Sequence, residues 1–553
     1  AAPALLDVAM SITEAGVITF EALEPLLALM DEQDNNTDQP LNMVVQTLDQ
    51  ADSALERAQT YLNAAVARRS EIDIGALSTR TASLVEKLDR YLPLMQAGLK
   101  GASLAPELLG ASGRRTYMIL AQNNDELRPG GGLISAVGTL VLEQGEIVEL
   151  GFEDSYAVDD FSQPYPDPPP PFPRYLGIDL WVFRDANWSP DFPTSAQAAV
   201  KLYQISRDLE VDGVIAVDQH TLQDIVAVLA PLQVPGWPEP VNGENVTELI
   251  QLAWSPDETQ QEQGFDPEWW KQRKRFVTDL SEAMLDKVER SPGQVDWLKL
   301  TQAALRTLEE RHLQIWLADT DGPASQLLAE QGWNGAVRST TSDYLMVIDA
   351  NLGYNKVNAI VQQSMDYRVL VHDDGTAQGT LKVQHYNPST ETAPCDQSPR
   401  YGADYQDLMN RCYWDYLRVY APAGSALYAA TAHPIASHQL LIGQRQSGQA
   451  ETLTSEYGKA VFASFLVLPH GQEAETRFVY QLPLETLTPL GDATTEGNGR
   501  WRYRLLVQKQ AGTPAYPLRV TLALPPGTHI ASTQPTAQHP APDTVVFETN
   551  LDR

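Results

Sequence analysis

The chain has 553 residues, and its 72 acidic against 39 basic side chains leave a net charge of −33. Such a surface repels phosphates and anionic headgroups, which argues against nucleic acid or an anionic lipid surface as the main partner and leaves divalent cations, basic surfaces and neutral glycans. A hydrophobic fraction of 43% with 8% aromatic residues excludes a disordered chain, and the length suits roughly three or four domains.

Residues 1–112 read as a helical leader. Leu41, Val44, Leu48, Ala51, Leu55, Ala58, Leu62 and Ala65 recur at alternating steps of three and four, which places them on one stripe of a helix. Leu77, Leu84, Leu88, Tyr91, Met95 and Leu99 repeat the pattern until Gly101, where the helix is expected to stop. Leu5 to Met30 makes a third helix, and Asp34 to Pro40 is a polar break. The segment reads as a helical bundle that spaces the rest of the protein from its attachment point, or as a surface for self-association. No uninterrupted run of about 18 apolar residues occurs, so no spanning segment is expected. Ala1 to Ala4 has neither the basic nor the apolar region of a signal peptide, which places any signal or anchor upstream.

Residues 113–355 read as an α/β core. Tyr117 to Leu120 and Leu133 to Leu142 are strands, and between them lies Asn123-Asn124-Asp125-Glu126-Leu127-Arg128-Pro129-Gly130-Gly131-Gly132. Three successive glycines let a backbone turn sharply and expose N–H groups, which suits either an anion site or a tight connection with a salt-bridged arginine. Thr194-Ser195-Ala196-Gln197 is a capping-box sequence, Gly213 to Val217 a short buried strand, and Thr221 to Leu229 a helix ended by Pro231. Asp266-Pro267-Glu268 opens a longer helix whose polar face holds Lys271, Arg273, Lys274 and Arg275. That basic cluster is a solvated face or an anion site. His312 to Leu317 and Tyr344 to Ile348 add strands, so a partly parallel sheet is expected. The proline-rich stretch Pro164 to Pro173 reads as a rigid extended loop, with a docking strap as the alternative.

Past residue 355 the pattern is all strands and Pro/Gly turns, which predicts a β-sandwich module over residues 356–485 and a C-terminal β module over residues 486–553. The hairpin Tyr367 to Val383, turning at Asp373-Asp374-Gly375, is its clearest unit. Cys395 and Cys412 are the only cysteines. Their spacing fits no common zinc pattern, so a disulfide, worth about 3 kcal/mol and implying an oxidising compartment, is favoured over two inert thiols. Sequons at Asn35, Asn187 and Asn245 are glycosylation candidates, Asn187 the poorest because Pro190 follows Ser189.

The segments Gln122 to Gly132, Phe183 to Ala196 (with Asp185, Asn187 and Asp191) and Val211 to Asp218 resemble the signature segments of domain-of-unknown-function family 4012, mostly bacterial surface proteins. The likeness extends to the helical leader and to Asp349 through Lys356. It implies a structural motif built from Asn124, Arg128, Gly130, Gly131, Gly132, Asp185, Asn187 and Asp191. The α/β part is also similar to the LytR-CpsA-Psr family of glycopolymer transferases, through Asn242-Gly243-Glu244 and the following basic helix. That likeness implies Asp125, Arg128, Arg273 and Arg275 as catalytic residues. Two arginine positions of that family are absent, replaced by Glu153 to Tyr156 and by Leu252 to Ser255, and a pyrophosphate needs several cationic donors.

The fold expected is multidomain α+β, with a helical bundle, an α/β core and β-sandwich modules. The favoured function is a secreted or cell-surface structural and assembly protein of unestablished activity, with a subunit of an extracellular filament or surface layer as one form of it, associating with itself, with other surface proteins or with glycans. The alternative is a cell-envelope phosphotransferase acting on polyprenyl pyrophosphate-linked glycopolymers. No nucleophile elbow or Walker sequence occurs, the histidines are scattered, and no cofactor is expected; Asp185 and Asp191, which bracket the Asn-Trp-Ser-Pro turn, suit either a divalent cation or turn-forming side-chain hydrogen bonds.

Overall fold

The computed structural model describes residues 2–31, 40–255, 275–398, 404–490 and 500–553. Three long helices form the leader: α1 (Ala2–Asp31), α2 (Pro40–Ser70) and α3 (Thr79–Leu108). The apolar stripe of α2 does what its spacing predicts. Ala58, Leu62 and Ala65 are buried against Val8 and Ala15 of α1 and Leu92 of α3, and Leu48, Ala51 and Leu55 form a second cluster nearer the core.

One expectation about the leader is corrected. Helix α3 runs through Gly101 to Leu108, because a glycine inside a helix costs only about 1 kcal/mol and packing against the helix Pro323–Gln331 holds it. The terminator is Gly110, whose φ of +83° suits the left-handed position past a helix end. Helix α1 is also long and apolar enough, from Pro3 to Leu26, to cross a membrane by length and composition, with mean hydropathy 1.3. Asp7, Glu14, Glu21 and Glu24 interrupt the apolar run between Pro3 and Leu26. One of its faces packs on α2 while Leu6, Met10, Val17 and Phe20 are exposed.

The next unit is a five-stranded mixed sheet in the order β3-β2-β1-β4-β5: β1 (Arg115–Arg128), β2 (Gly131–Glu143), β3 (Glu146–Asp154), β4 (Gly213–Val217) and β5 (Leu313–Leu317). Only β1 and β4 run parallel, with Tyr117 to Ala121 facing Gly213 to Val217. Helix Phe192–Tyr203 covers one face through Phe192, Ala196, Ala199 and Leu202, in a core with Met118, Leu120, Val214 and Ala216. Its cap is Asp191, whose carboxylate accepts from the Thr194 N–H, so the helix begins earlier than the capping-box sequence suggests. The proline-rich loop ends in a short helical turn, Phe172–Leu176. Its aromatics are buried within the chain, Tyr175 stacking on Phe465 at 3.9 Å and Phe172 meeting Trp188 edge-on at 4.7 Å.

Two further sheets share one core. The first has the order β11-β12-β9-β6-β16: β6 (Asp343–Ile348), β9 (Tyr413–Pro422), β11 (Glu451–Glu456), β12 (Lys459–Leu468) and β16 (Leu505–Gln508). The second has the order β10-β13-β8-β7-β17-β19-β18: β7 (Gln362–Val371), β8 (Ala377–Tyr386), β10 (Ala426–Ala430), β13 (Glu473–Leu482), β17 (Tyr516–Ala523), β18 (Gln538–Ala541) and β19 (Thr544–Leu551). Leu345, Val347, Leu417, Val419 and Phe462 from the first sheet bury against Tyr367, Leu381, Phe478, Tyr480 and Val520 from the second. The boundaries at 355 and 485 therefore do not divide the sheets. Strand β6 pairs with β9 and β16 rather than with the α/β sheet, and β17 inserts beside β7. Strand partners at this distance in sequence are chosen by tertiary burial, which local pattern does not encode. Cys395 and Cys412 are joined as a disulfide beside Trp414 and Leu352.

Candidate functional site

The loop between β1 and β2 sits where the three sheets come together. Strand β1 bulges twice, after Ala121 and between Asn123 and Leu127, so Asn124, Asp125 and Glu126 have no ladder partner on β2. The two acids are held by side chains instead, Asp125 by Tyr405 and Glu126 by Arg128.

Arg128 is the centre of the arrangement. At 5% exposure its guanidinium donates from Nε to Asp185 Oδ1 at 3.1 Å, from Nη2 to Glu126 Oε1 at 3.1 Å and from Nη1 to the Asn351 carbonyl at 2.7 Å. Burial alone would lower its pKa, but the charges of Glu126 and Asp185 outweigh that and raise it. A buried charge without a partner is costly, and here the charge is matched from two sides. Lys356 stands 3.6 Å from the second Glu126 oxygen and over the rings of Trp254 and Tyr405.

The glycines close the turn. Gly130 N–H donates to the Asn187 carbonyl at 3.0 Å, and the Asn187 amide returns a bond to the Gly132 carbonyl at 2.7 Å. A Cβ at Gly132 would collide with the backbone of Asn123, and Gly131 has a φ of +128° with Gly512 packed on it. Gln510 donates to the Arg128 carbonyl at 3.1 Å and to the Asp349 carbonyl at 2.8 Å. The loop is thus a joint to which segments near residues 187, 351 and 510 are all bonded.

Asp125 lies on the other side of the bulge, at 7% exposure, accepting from the Tyr405 hydroxyl at 2.7 Å. Burial raises its pKa against the opposing effects of Tyr405 and Lys356. Beyond it, Asp218 caps the helix Gln219–Leu229 and accepts from His312 Nδ1 at 2.5 Å, while His220 lies 4.5 Å from the His312 ring. Burial pushes Asp218 up, but His312, His220 and the Thr221 N–H outweigh it and hold the carboxyl below its usual range. Lys509, 1% exposed, donates to the Glu310 carbonyl at 2.7 Å, and burial pushes its pKa down to about 7.

Of the residues singled out in the sequence, Arg128, Asp185, Asn187 and Gly130 to Gly132 converge. Asn124 is buried with no hydrogen bond to its side-chain oxygen. Asp191 faces elsewhere, on the Thr194 and Val337 N–H groups, so it does not join Asp185 around a cation. Arg275 is exposed and pairs with Asp279 at 3.6 Å, apart from the partners of Asp125 and Arg128. Arg273 and Asn35 lie outside the described residues. Asn187 is wholly buried with its amide bonded, which closes it to glycosylation, and the half-buried Asn245 donates its amide to the Pro240 carbonyl at 3.0 Å. His220, His312, Tyr405 and Lys509 carry no sequence signal, because their proximity arises only when distant strands and helices pack.

These features define a mixed α+β protein with a helical N-terminal part, several sheets and an internally bonded joint between them. Residues 112–253, which carry the Arg128 loop, match the family described as Protein of unknown function (DUF4012). The leader and Asp349 to Lys356 lie outside the matched segment. No curated protein matches the chain. Among solved structures, the Lin1025 protein from Listeria innocua is similar at 13% identity over 42% of this chain and 85% of its own, with a TM-score of 0.23. Leukotriene A4 hydrolase from Saccharomyces cerevisiae is similar at 11% identity over 35% and 28%, with a TM-score of 0.19. An M1 zinc metallopeptidase from Deinococcus radiodurans is similar at 12% identity over 35% and 39%, with a TM-score of 0.15. The chain spans well under half of the latter two, and likeness at these scores assigns no activity.

Proposed function

We propose that the protein is a secreted or cell-surface structural protein that takes part in an extracellular assembly, and that its Arg128 loop is a mechanical joint rather than a catalytic centre. The observation that carries this reading is the neutralisation of Arg128 by Asp185 and Glu126, with the remaining donor on the Asn351 carbonyl. A pyrophosphate would have to displace two buried carboxylates to reach that guanidinium. The disulfide supports an oxidising compartment, and the apolar α1 suits attachment or self-association. We read the two sheets with a common core as a β-sandwich, and the α/β part as a relative of the LytR-CpsA-Psr fold that lacks that family's cationic set.

The test is Arg128→Ala together with a binding measurement on the wild type. Truncation leaves two buried carboxylates unpaired, so the variant should lose on the order of 3–5 kcal/mol of stability, and the wild type should show no saturable binding of a polyprenyl pyrophosphate. A variant with wild-type melting temperature that has lost lipid pyrophosphate binding would establish the phosphotransferase reading instead.

A further inference from the structure

Asp349, His385 and Asp415 meet in the interior where the two sheets of the common core face each other. Asp349 follows the end of β6 and Asp415 lies on the neighbouring β9, while His385 comes from β8 in the opposite sheet. Their exposures are 3%, 1% and 0% in chain order. His385 Nε2 is 3.3 Å from Asp349 Oδ1 and 4.0 Å from Asp415 Oδ2, and one ligand atom from each residue falls within 4.8 Å of the others.

What distinguishes this group from an ordinary buried network is that the side chains face one another at close range without forming well-aligned hydrogen bonds. Asp349 Oδ1, Asp415 Oδ2 and both ring nitrogens of His385 make no hydrogen bond. Buried polar atoms are almost always paired, and here four unpaired ones lie in one place. The outward atoms are held: Asp415 Oδ1 accepts from the Tyr413 hydroxyl at 3.1 Å and the Ala350 N–H at 3.2 Å, and the Asp349 N–H donates to Gln510 at 2.8 Å. Such outer contacts orient side chains around a centre.

We propose that Asp349, His385 and Asp415 bind a divalent transition-metal ion, Zn²⁺ or Mn²⁺, that staples the two sheets together. One nitrogen and two carboxylate oxygens form a ligand set these ions accept, and the imidazole disfavours Ca²⁺ and Mg²⁺, which take oxygen. Ligands about 2.0–2.1 Å from a tetrahedral ion stand roughly 3.3 Å apart, close to the separations here. Two carboxylates and a neutral imidazole also match a charge of +2. The site does not depend on the Arg128 reading, because an ion held there has a structural role under either function.

The experiment uses the full chain purified without chelator. Metal analysis after dialysis should find about one equivalent of Zn²⁺ or Mn²⁺, a strong chelator should lower the melting temperature by several degrees, and added Zn²⁺ or Mn²⁺ should restore it. Asp415→Asn and His385→Gln should abolish both the bound metal and the response. A wild type that holds no metal and whose melting temperature ignores chelator and added ions would overturn the proposal and leave the cluster as a proton-shared pair. Retention of the ion by both variants would overturn it equally, by placing the metal elsewhere.

Discussion

A lysine ammonium buried to 1% exposure is held at a disadvantage that pH can relieve, and Lys509 makes the effect measurable. Burial lowers its pKa from the ordinary 10.5 to about 7 in the folded chain. Between those values the unfolded chain binds the extra proton, so stability rises with pH through that window, and below pH 7 the cost of burying the charge is present in full. Lys509→Met removes the titrating group and also the bond to the Glu310 carbonyl. The free-energy difference between wild type and variant, measured by denaturant unfolding, should therefore shift toward the wild type on going from pH 6 to pH 9.5, by up to about 3 kcal/mol. A difference that stays flat across that range would show that Lys509 keeps an ordinary pKa.

The β1–β2 hairpin shows at the level of an element why glycine recurs in this loop. Gly132 faces the backbone of Asn123, which cannot move aside, whereas Gly151 in β3 has open space where a Cβ would go. Gly132→Ala should lower stability by several kcal/mol, and Gly151→Ala should change it by about 1 kcal/mol or less. Comparable melting temperatures for the two variants would mean that the hairpin yields at Gly132. The glycine run was legible in the sequence as a turn that side chains would block, as was the stripe of α2, because both are local patterns. Placement of β6 was not legible. Tyr344 to Ile348 is buried on both faces, and a continuous apolar strand fits a parallel α/β sheet and an inner strand of a second sheet equally well. The Arg128 pairing was accessible from its neighbouring acids, but the Asp218–His312 contact and the Asp349–His385–Asp415 cluster join residues from separate strands, and no spacing announces them.

At the scale of the whole molecule, the last 50 or so residues are the thread that ties the parts together. After β15 (Arg500–Tyr503), which pairs with β14 (Leu487–Leu490), the chain adds β16 to the edge of one sheet beside β6. It then passes Gln510 and Gly512 over the Arg128 loop and enters the other sheet as β17, between β7 and β19. Removing residues 486–553 would strip the parallel partner from β7, expose Leu345, Val369 and other core side chains, and release the joint at once. A separate C-terminal module would instead leave residues 1–485 folded. We predict that the truncated chain loses the cooperative melting of the C-terminal sheets and becomes susceptible to protease within β7 and β8, with the effect reaching the Arg128 loop because Gln510 no longer bonds to it. Limited proteolysis and calorimetry on residues 1–485 decide the matter: a fragment that melts at the wild-type temperature and resists cleavage in β7 would mean that β17 is an addition to a sheet already stable without it.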